Sequence, residues 1–249
     1  MRLITAILVI VMAMSCDTEN AIDCFQRTGQ KVSKEIAVGD FKRILVNPNI
    51  EVIIKQGTEP LVLIETGSNL LNEIDVRIEG DRLMLSNAND CNLVRAFKQT
   101  KITVTAVDIT EIRSATQFDI RSEGVLNFPE LTLLSEDFFE NSGGNITGQF
   151  ILNLKNDNTI ITTNNLSSFF ITGETKSFEI NMSSGSGRVD TSNFLAEEVS
   201  IFHRGSNKII VNPQKSITGK ILSTGDVIAV KRPEKIDVST VSKGKLLFK

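Results

Sequence analysis

Few residues in this sequence are suited to catalysis. The 249 residues include one histidine, His203, three cysteines, and neither Trp nor Tyr. A zinc site or a Ser–His–Asp triad needs several partners around an imidazole, and His203 has no nearby Cys and no Glu-x-x-His spacing. We therefore expect His203 to lie on a solvated strand face near a turn and to have no catalytic role.

Two acidic pairs are the remaining candidates for acid–base chemistry, Glu136-Asp137 and Glu197-Glu198. Paired carboxylates at a fixed separation cleave glycosidic bonds. Carbohydrate enzymes usually hold their substrates on aromatic platforms, and Phe is the only aromatic residue in this chain. The sequence therefore predicts a noncatalytic protein, with a carbohydrate-active enzyme as an alternative.

No metal or cofactor site is predicted. The Asn-rich run at residues 153–165 has oxygen ligands, but it lacks the Asp-x-Asp-x-Asp-Gly alternation of a calcium loop. The glycine-rich run at residues 183–187 lacks the strand–loop–helix setting of a phosphate loop. Turn formation accounts for both runs.

The charge balance makes nucleic acid an unlikely partner. The chain has 27 basic and 30 acidic residues, a net charge of -3, so it has no overall positive field for a phosphate backbone. The C-terminal end alone is mildly basic, and we expect its charges to be solvated. These basic residues are Lys231, Arg232, Lys235, Lys243, Lys245 and Lys249.

The N-terminus predicts export. A basic residue, Arg2, precedes an apolar run at residues 3–14, which is shorter than the roughly 20 residues of a membrane-spanning helix. Residues 13–16 resemble the lipobox of bacterial lipoproteins, in which the cysteine, here Cys16, is acylated. The prediction is a signal peptide at residues 1–15, a flexible tether at 16–34 and a membrane anchor at Cys16. A plain signal peptide cleaved near residues 13–15 is the alternative.

Two cysteines remain after Cys16. In an oxidising compartment Cys24 and Cys91 form an even pair and are candidates for a disulfide. A buried free thiol at Cys91 fits the sequence equally well.

The body of the chain, residues 35–249, is predicted to be all-β. Almost no segment shows the 3.6-residue apolar spacing of a surface helix, whereas short runs rich in Val, Ile, Phe and Thr recur throughout.

A repeat in the second half of the body predicts how the strands are arranged. Six Gly or Asn positions follow one another at a nearly constant spacing of about 20 residues. Both residue types readily adopt positive φ, and we interpret them as one backbone corner that recurs in every turn of a coil. These positions are Gly144, Asn165, Gly185, Gly205, Gly225 and Gly244.

The period of about 20 residues predicts a right-handed parallel β-helix, or β-solenoid, with polar side chains on its outer faces. A β-sandwich, whose strand spacing can double to a similar value, is the alternative.

Several strings of the sequence support a family resemblance, and they lie at residues 41–44, 50–57, 74–85, 223–227, 236–239 and 243–244. The chain resembles the head GIN domain of bacterial auto-transporter adhesins, a domain of unknown function. The resemblance implies a parallel β-helical exported protein, often an envelope lipoprotein, with adhesion assigned by analogy.

The predicted function follows from the repeat and from the lack of catalytic groups. We expect an outer-membrane lipoprotein, anchored through Cys16, whose repetitive β surface binds a glycan or a surface protein. A structural or stress-signalling envelope component is the first alternative, and a carbohydrate-active enzyme is the second.

Overall fold

The computed structural model describes residues 26–89, 91, 93, 100–136 and 146–249. These residues form 17 β-strands and one 3₁₀ turn at Leu71–Glu73, which confirms the predicted all-β class. The predicted signal peptide, Cys16, Cys24 and Gly144 lie outside the described residues.

The strands are numbered in chain order. They are β1 Lys31–Ala37, β2 Arg43–Val46, β3 Glu51–Gln56, β4 Leu61–Gly67, β5 Ile74–Glu79, β6 Arg82–Asn87, β7 Lys101–Ala106, β8 Glu111–Ser114, β9 Ile120–Glu123, β10 Glu130–Ser135, β11 Gln149–Thr163, β12 Ser168–Met182, β13 Val189–His203, β14 Ile209–Ile221, β15 Val227–Ala229, β16 Lys235–Thr240 and β17 Leu246–Phe248.

The strands form one curled, open sheet with two stacks of paired strands. The first stack runs β5, β6, β2, β8, β10, then through the C-terminal halves of β11 to β14, and ends at β16. The second runs β1, β4, β7, β3, β9, then through the N-terminal halves of β11 to β14, and ends at β15 and β17. The four long strands belong to both stacks and hold them together.

The sheet is mixed, so the prediction of a parallel β-helix through residues 35–249 is confirmed only as all-β. The pairs β1–β4, β4–β7 and β5–β6 are antiparallel. The sequence explains one of these pairs directly, because Gly80 with φ +64° and Asp81 form a two-residue turn that folds β6 back on β5. Parallel strands of a coil cannot be joined by a two-residue turn, because the chain must return to the same end of the sheet before the next strand begins.

From β10 onward every pairing is parallel. One row of the second stack shows the regularity, with successive partners about 20 residues apart in the sequence. Its side chains are buried at every layer but the last, which is half-buried. The row is Phe150, Phe169, Val189, Ile209, Val227 and Leu246. A β-sandwich of antiparallel strands does not fit this part of the chain.

Each long strand bends where it passes from one stack to the other. In β11 the buried positions are even-numbered from 150 to 154 and odd-numbered from 159 to 163. Side chains alternate across a strand, so this one-residue change of phase keeps both halves facing the same core around a bend at residues 155–158. The bend positions the groove described below.

The body begins earlier in the chain than the predicted boundary at residue 35. Strand β1 starts at Lys31 and pairs with β4, and the buried Gln26 donates through Nε2 to the backbone oxygen of Asn69 at 2.9 Å. Among the described residues, no helix has the length and apolar character to cross a bilayer.

Candidate binding surface

The outer side of the bends in β11 to β14 forms an open groove of about 670 Å³. The bends lie on top of one another because the four strands pair in parallel. The groove is lined by Asn127, Pro129, Lys155, Asn156, Asp157, Glu174, Thr175, Lys176, Leu195, Glu197, Gln214 and Lys215.

Opposite charges alternate between neighbouring strands along this groove. Lys155 Nζ lies 3.0 Å from Glu174 Oε1, and Lys176 Nζ lies 2.7 Å from Asp157 Oδ1. The hydrogen bond to Asp157 raises the pKa of Lys176 above its ordinary value. We call these four residues, together with Glu197 and Lys215, the charge ladder. The third pair joins Lys215 Nζ to Glu197 Oε2 at 2.5 Å.

The charge ladder is exposed, so its ion pairs contribute little to folding stability. Each carboxylate of the charge ladder is paired with a lysine, whose charge neutralises it. A glycosidase site instead pairs a carboxylic acid with a carboxylate. Leu195, 45% exposed and in register with Glu174, supplies an apolar contact within the groove. The groove can therefore hold an amphipathic ligand, and its described lining residues include no acid–base pair.

A polar face adjoins the groove on the first stack. Its residues form rows across β12, β13, β14 and β16, with neighbours about 4.8 Å apart. A shallow depression of about 310 Å³ lies on it. We define the polar face by two rows, which are Ser177, Glu198, Ser216 and Lys235, and Glu179, Ser200, Thr218 and Asp237.

The sequence of this stacked sheet matches a known protein family. A sequence model of the family described as putative auto-transporter adhesin, head GIN domain, matches residues 40–233. The chain belongs to this family. The match spans both the mixed part and the parallel part of this head GIN domain, and it confirms the resemblance found in the sequence.

Several solved structures share the fold of this head GIN domain. A putative adhesin from Bacteroides fragilis NCTC 9343 has a TM-score of 0.77 at 17% identity, covering 90% of this chain and 99% of that one. A putative adhesin from Parabacteroides distasonis ATCC 8503 has a TM-score of 0.64 at 15% identity, covering 90% and 99%. A putative lipid binding protein from the same strain has a TM-score of 0.62 at 14% identity, covering 90% and 98%. At these identities the likeness establishes the fold alone.

The curated proteins contain no significant match to this head GIN domain.

The structure brings the described members of the corner series together. The amide of Gly187 donates to the oxygen of Asn165 at 3.1 Å, that of Ser206 to Gly185 at 3.0 Å, and that of Gly225 to Gly205 at 3.2 Å. A Cβ on Gly244 would lie 2.3 Å from the oxygen of Gly225. Each position therefore contacts the layer before it.

The reason for glycine at these positions differs from the one predicted. Of Gly185, Gly205, Gly225 and Gly244, only Gly185 has a positive φ, +91°. A Cβ on Gly205 would lie 2.2 Å from Sδ of Met182, and one on Gly225 would lie 2.2 Å from the oxygen of Asn207. The backbone of the preceding layer leaves no room for a Cβ at Gly225, and at Gly205 a Cβ would have to displace the side chain of Met182.

His203 is fully buried, so the prediction of a solvated strand face is wrong. It lies in register between Met182 and Ile221. Its Nδ1 accepts a hydrogen bond from the amide of Gly205 at 3.3 Å. Burial lowers the pKa of His203. The imidazole is a core side chain with no access to substrate.

The structure does not bring the two acidic pairs together. Glu198 lies in the row of Ser177, Asn158 and Glu130, and Glu130 precedes Glu136 by six residues. At about 3.3 Å per residue the two sites are roughly 20 Å apart along the strand direction, too far for paired carboxylates. Asp137 lies outside the described residues.

The metal and cysteine predictions have different outcomes. Asn153, Asn156 and Asn158 lie within strand β11 and not in turns. No cluster of three or more His, Cys, Asp or Glu residues suited to a metal occurs in the described part of the chain. Cys91 forms a disulfide, and its partner lies outside the described residues, so pairing with Cys24 stays a prediction.

Sequence reasoning missed the charge ladder, although a signal exists. Asp157, Lys176, Glu197 and Lys215 alternate in sign, and each follows the one before it by about 20 residues. This spacing is the period of the glycine series. A search for opposite charges at the repeat period finds them.

Proposed function

We propose that this protein is an exported, noncatalytic, adhesin-like envelope protein whose polar face and groove bind a glycan or a surface protein. The observation that carries the proposal is the parallel pairing of β11 to β14 and β16, which arranges hydroxyl, amide and charged side chains in rows one strand apart. The adhesin-like family assignment supports it.

The sheet favours binding through many weak contacts. Side chains on a paired strand lose little further freedom when a ligand arrives, so each contact costs less conformational entropy than one on a loop. An extended ligand lying along a row meets a polar side chain at each strand. The charge ladder adds alternating positive and negative sites at the edge of this surface.

We further propose that the long strands wind as successive turns of a right-handed coil. Parallel strands in one sheet are joined by right-handed crossovers in about 98% of cases. The offset of about 20 residues between partners leaves room for one turn between layers.

The proposed anchor is an acylated Cys16 in the outer membrane, with residues 1–15 removed and a tether leading to β1. More than one acyl chain gives stable membrane attachment, whereas a single chain binds reversibly. Globomycin-sensitive processing and palmitate labelling that a Cys16→Ser variant lacks would support this anchor.

The test of binding uses two matched substitutions. Ser200→Lys places a long charged side chain on the polar face, and Ser33→Lys places the same side chain on β1, where Ser33 is also exposed. Binding is measured on glycan arrays and by capture from intact envelopes. We expect Ser200→Lys to lose at least tenfold in affinity while Ser33→Lys retains binding.

Two outcomes would overturn the binding proposal. The first is equal behaviour of the two variants. The second is an absence of binding in both assays together with cleavage of a polysaccharide by the purified protein.

A further inference from the structure

The two ends of the chain differ strongly in charge. Residues 204–249 contain ten basic and three acidic side chains, whereas residues 1–203 contain 17 basic and 27 acidic side chains. The net charge of -3 therefore conceals a strongly basic C-terminal part.

Basic residues outnumber carboxylates in the last layers, where Glu234 and Asp237 are the acidic side chains of residues 231–249. Strands β16 and β17 are the terminal strands of the two stacks. In the part of the chain that the structure describes, Lys215 is the only basic residue after position 203 that forms an ion pair. We define the basic tip by six exposed residues, which are Lys231, Arg232, Lys235, Lys243, Lys245 and Lys249.

Aliphatic side chains lie exposed in the same segment. Val241 is 74% exposed, Leu247 42% and Ile236 37%. Exposed basic and aliphatic side chains together are characteristic of surfaces that lie against a bilayer, where the lysines meet anionic headgroups and the apolar groups enter the interface.

The basic tip lies at the far end of the molecule from β1. Ten pairings separate β1 from β17 in the second stack, a distance of roughly 48 Å at about 4.8 Å per strand. The polar face and the groove occupy the side of the stacks, so the tip is a separate surface that shares only Lys235 with the polar face.

We propose that the basic tip docks on a bilayer containing anionic lipids. An acidic polysaccharide is a poorer fit, because it offers nothing to Val241 and Leu247. The tip also lacks an open aromatic ring, since the guanidinium of Arg232 lies over Phe248, 4.6 Å from the ring centroid.

The experiment measures cosedimentation of the full chain with vesicles of phosphatidylcholine alone or of phosphatidylcholine and phosphatidylglycerol mixed two to one. A Cys16→Ser background removes the predicted acylation site. The test variant is Lys243→Glu with Lys245→Glu, and the matched control is Lys31→Glu with Lys34→Glu, which changes the net charge equally at the opposite end.

We expect preferential binding to the anionic vesicles, lost by roughly 30-fold in the tip variant and nearly unchanged in the control variant. The preference should weaken as salt is raised. A third variant, Val241→Asn, should weaken vesicle binding several-fold without affecting binding to polygalacturonate.

Three results would overturn the proposal. Equal binding to both vesicle types would mean that the lysines only keep the edge strands from pairing with other sheets. Equal losses in the two double variants would show a general charge effect. Tighter binding to polygalacturonate than to anionic vesicles would identify the tip as a glycan site.

Discussion

The part of the chain before β10 and the part from β10 onward build the same two stacks by different means. In the first part, strands far apart in the sequence pair, and three pairs are antiparallel. In the second part, each layer pairs with the chain about 20 residues later. One continuous core fills both parts, so a sequence repeat is one route to this architecture and not a requirement for it.

Two turn glycines of the first part and two strand glycines of the second part have different surroundings. Gly80 and Gly124 have positive φ and open space around the position of a Cβ. In the second part Gly173 and Gly219 also have positive φ, but a Cβ there would lie 2.0 Å from the oxygen of Leu154 and 1.9 Å from that of Ile201. Stacked layers approach so closely that they accept glycine alone at these positions.

The largest expected effect comes from the core, and it tests which face of β12 is buried. Phe169 stacks on Phe150 with ring centroids 4.9 Å apart and is fully buried, whereas its neighbour Phe170 points outward and is half-buried. Phe169→Ala should lower the free energy of unfolding by about 4 kcal/mol. Phe170→Ala should lower it by less than about 1 kcal/mol. Urea unfolding measures both, and similar losses would contradict the assignment of faces.

The second prediction compares two glycines of like conformation in the two parts. Gly173→Ala adds a contact with the preceding layer to the strain of φ +108°, and should cost about 3 kcal/mol. Gly124→Ala, with φ +78° and no neighbour, should cost about 1 kcal/mol. Thermal unfolding of both variants gives the difference. Equal costs would mean that backbone strain, and not layer spacing, selects glycine in the second part.

The third prediction concerns the buried His203. Burial lowers its folded pKa below 6.5, and the backbone of Asn207 and the carboxylate of Asp226 offset only part of that effect. Between the folded pKa and 6.5 the unfolded chain binds more protons than the folded chain, so stability falls as the pH is lowered through this window and levels off below it.

A His203→Gln variant serves as the control for the third prediction. Urea midpoints measured from pH 7.5 to 5 should fall with pH in the parent protein and remain nearly flat in the variant. The same slope in both proteins would assign the pH dependence to other groups.

The smallest expected effect concerns the charge ladder. Lys176→Met removes an exposed ion pair with Asp157 and should leave the urea midpoint nearly unchanged. In the first part of the chain, Lys55→Met removes the similarly exposed pair with Glu123 and should behave alike. Urea unfolding again measures both, and a clear loss of stability for Lys176→Met alone would give the ladder a structural role.

The second part has a signal in its sequence because its pairings repeat at about 20 residues. The series of Gly and Asn positions in the sequence has the same period. The first part has no period, so its register depends on contacts such as β2 with β8, two strands that lie far apart in the sequence. No local pattern reveals such a contact.

The misplacement of His203 has a related cause. The step along the chain from Met182 to His203 is longer than the next step, from His203 to Ile221. Bulges between β12 and β13 and between β13 and β14 absorb this difference. A constant period of about 20 residues selects Phe202, which is the preceding residue and lies on the opposite side of the strand.

The most direct test of the parallel stack is disulfide formation between engineered cysteines. Ser200 pairs with Thr218 in the adjacent layer, and Thr218 with Asp237 in the next. Paired strands lie within the Cα separation that a disulfide spans, whereas positions two layers apart do not. Under mild oxidation, peptide mapping should find a bridge in the Ser200→Cys/Thr218→Cys variant and none in the Ser200→Cys/Asp237→Cys variant. The reverse result, or bridges in neither variant, would contradict the stacked rows on which the binding surface depends.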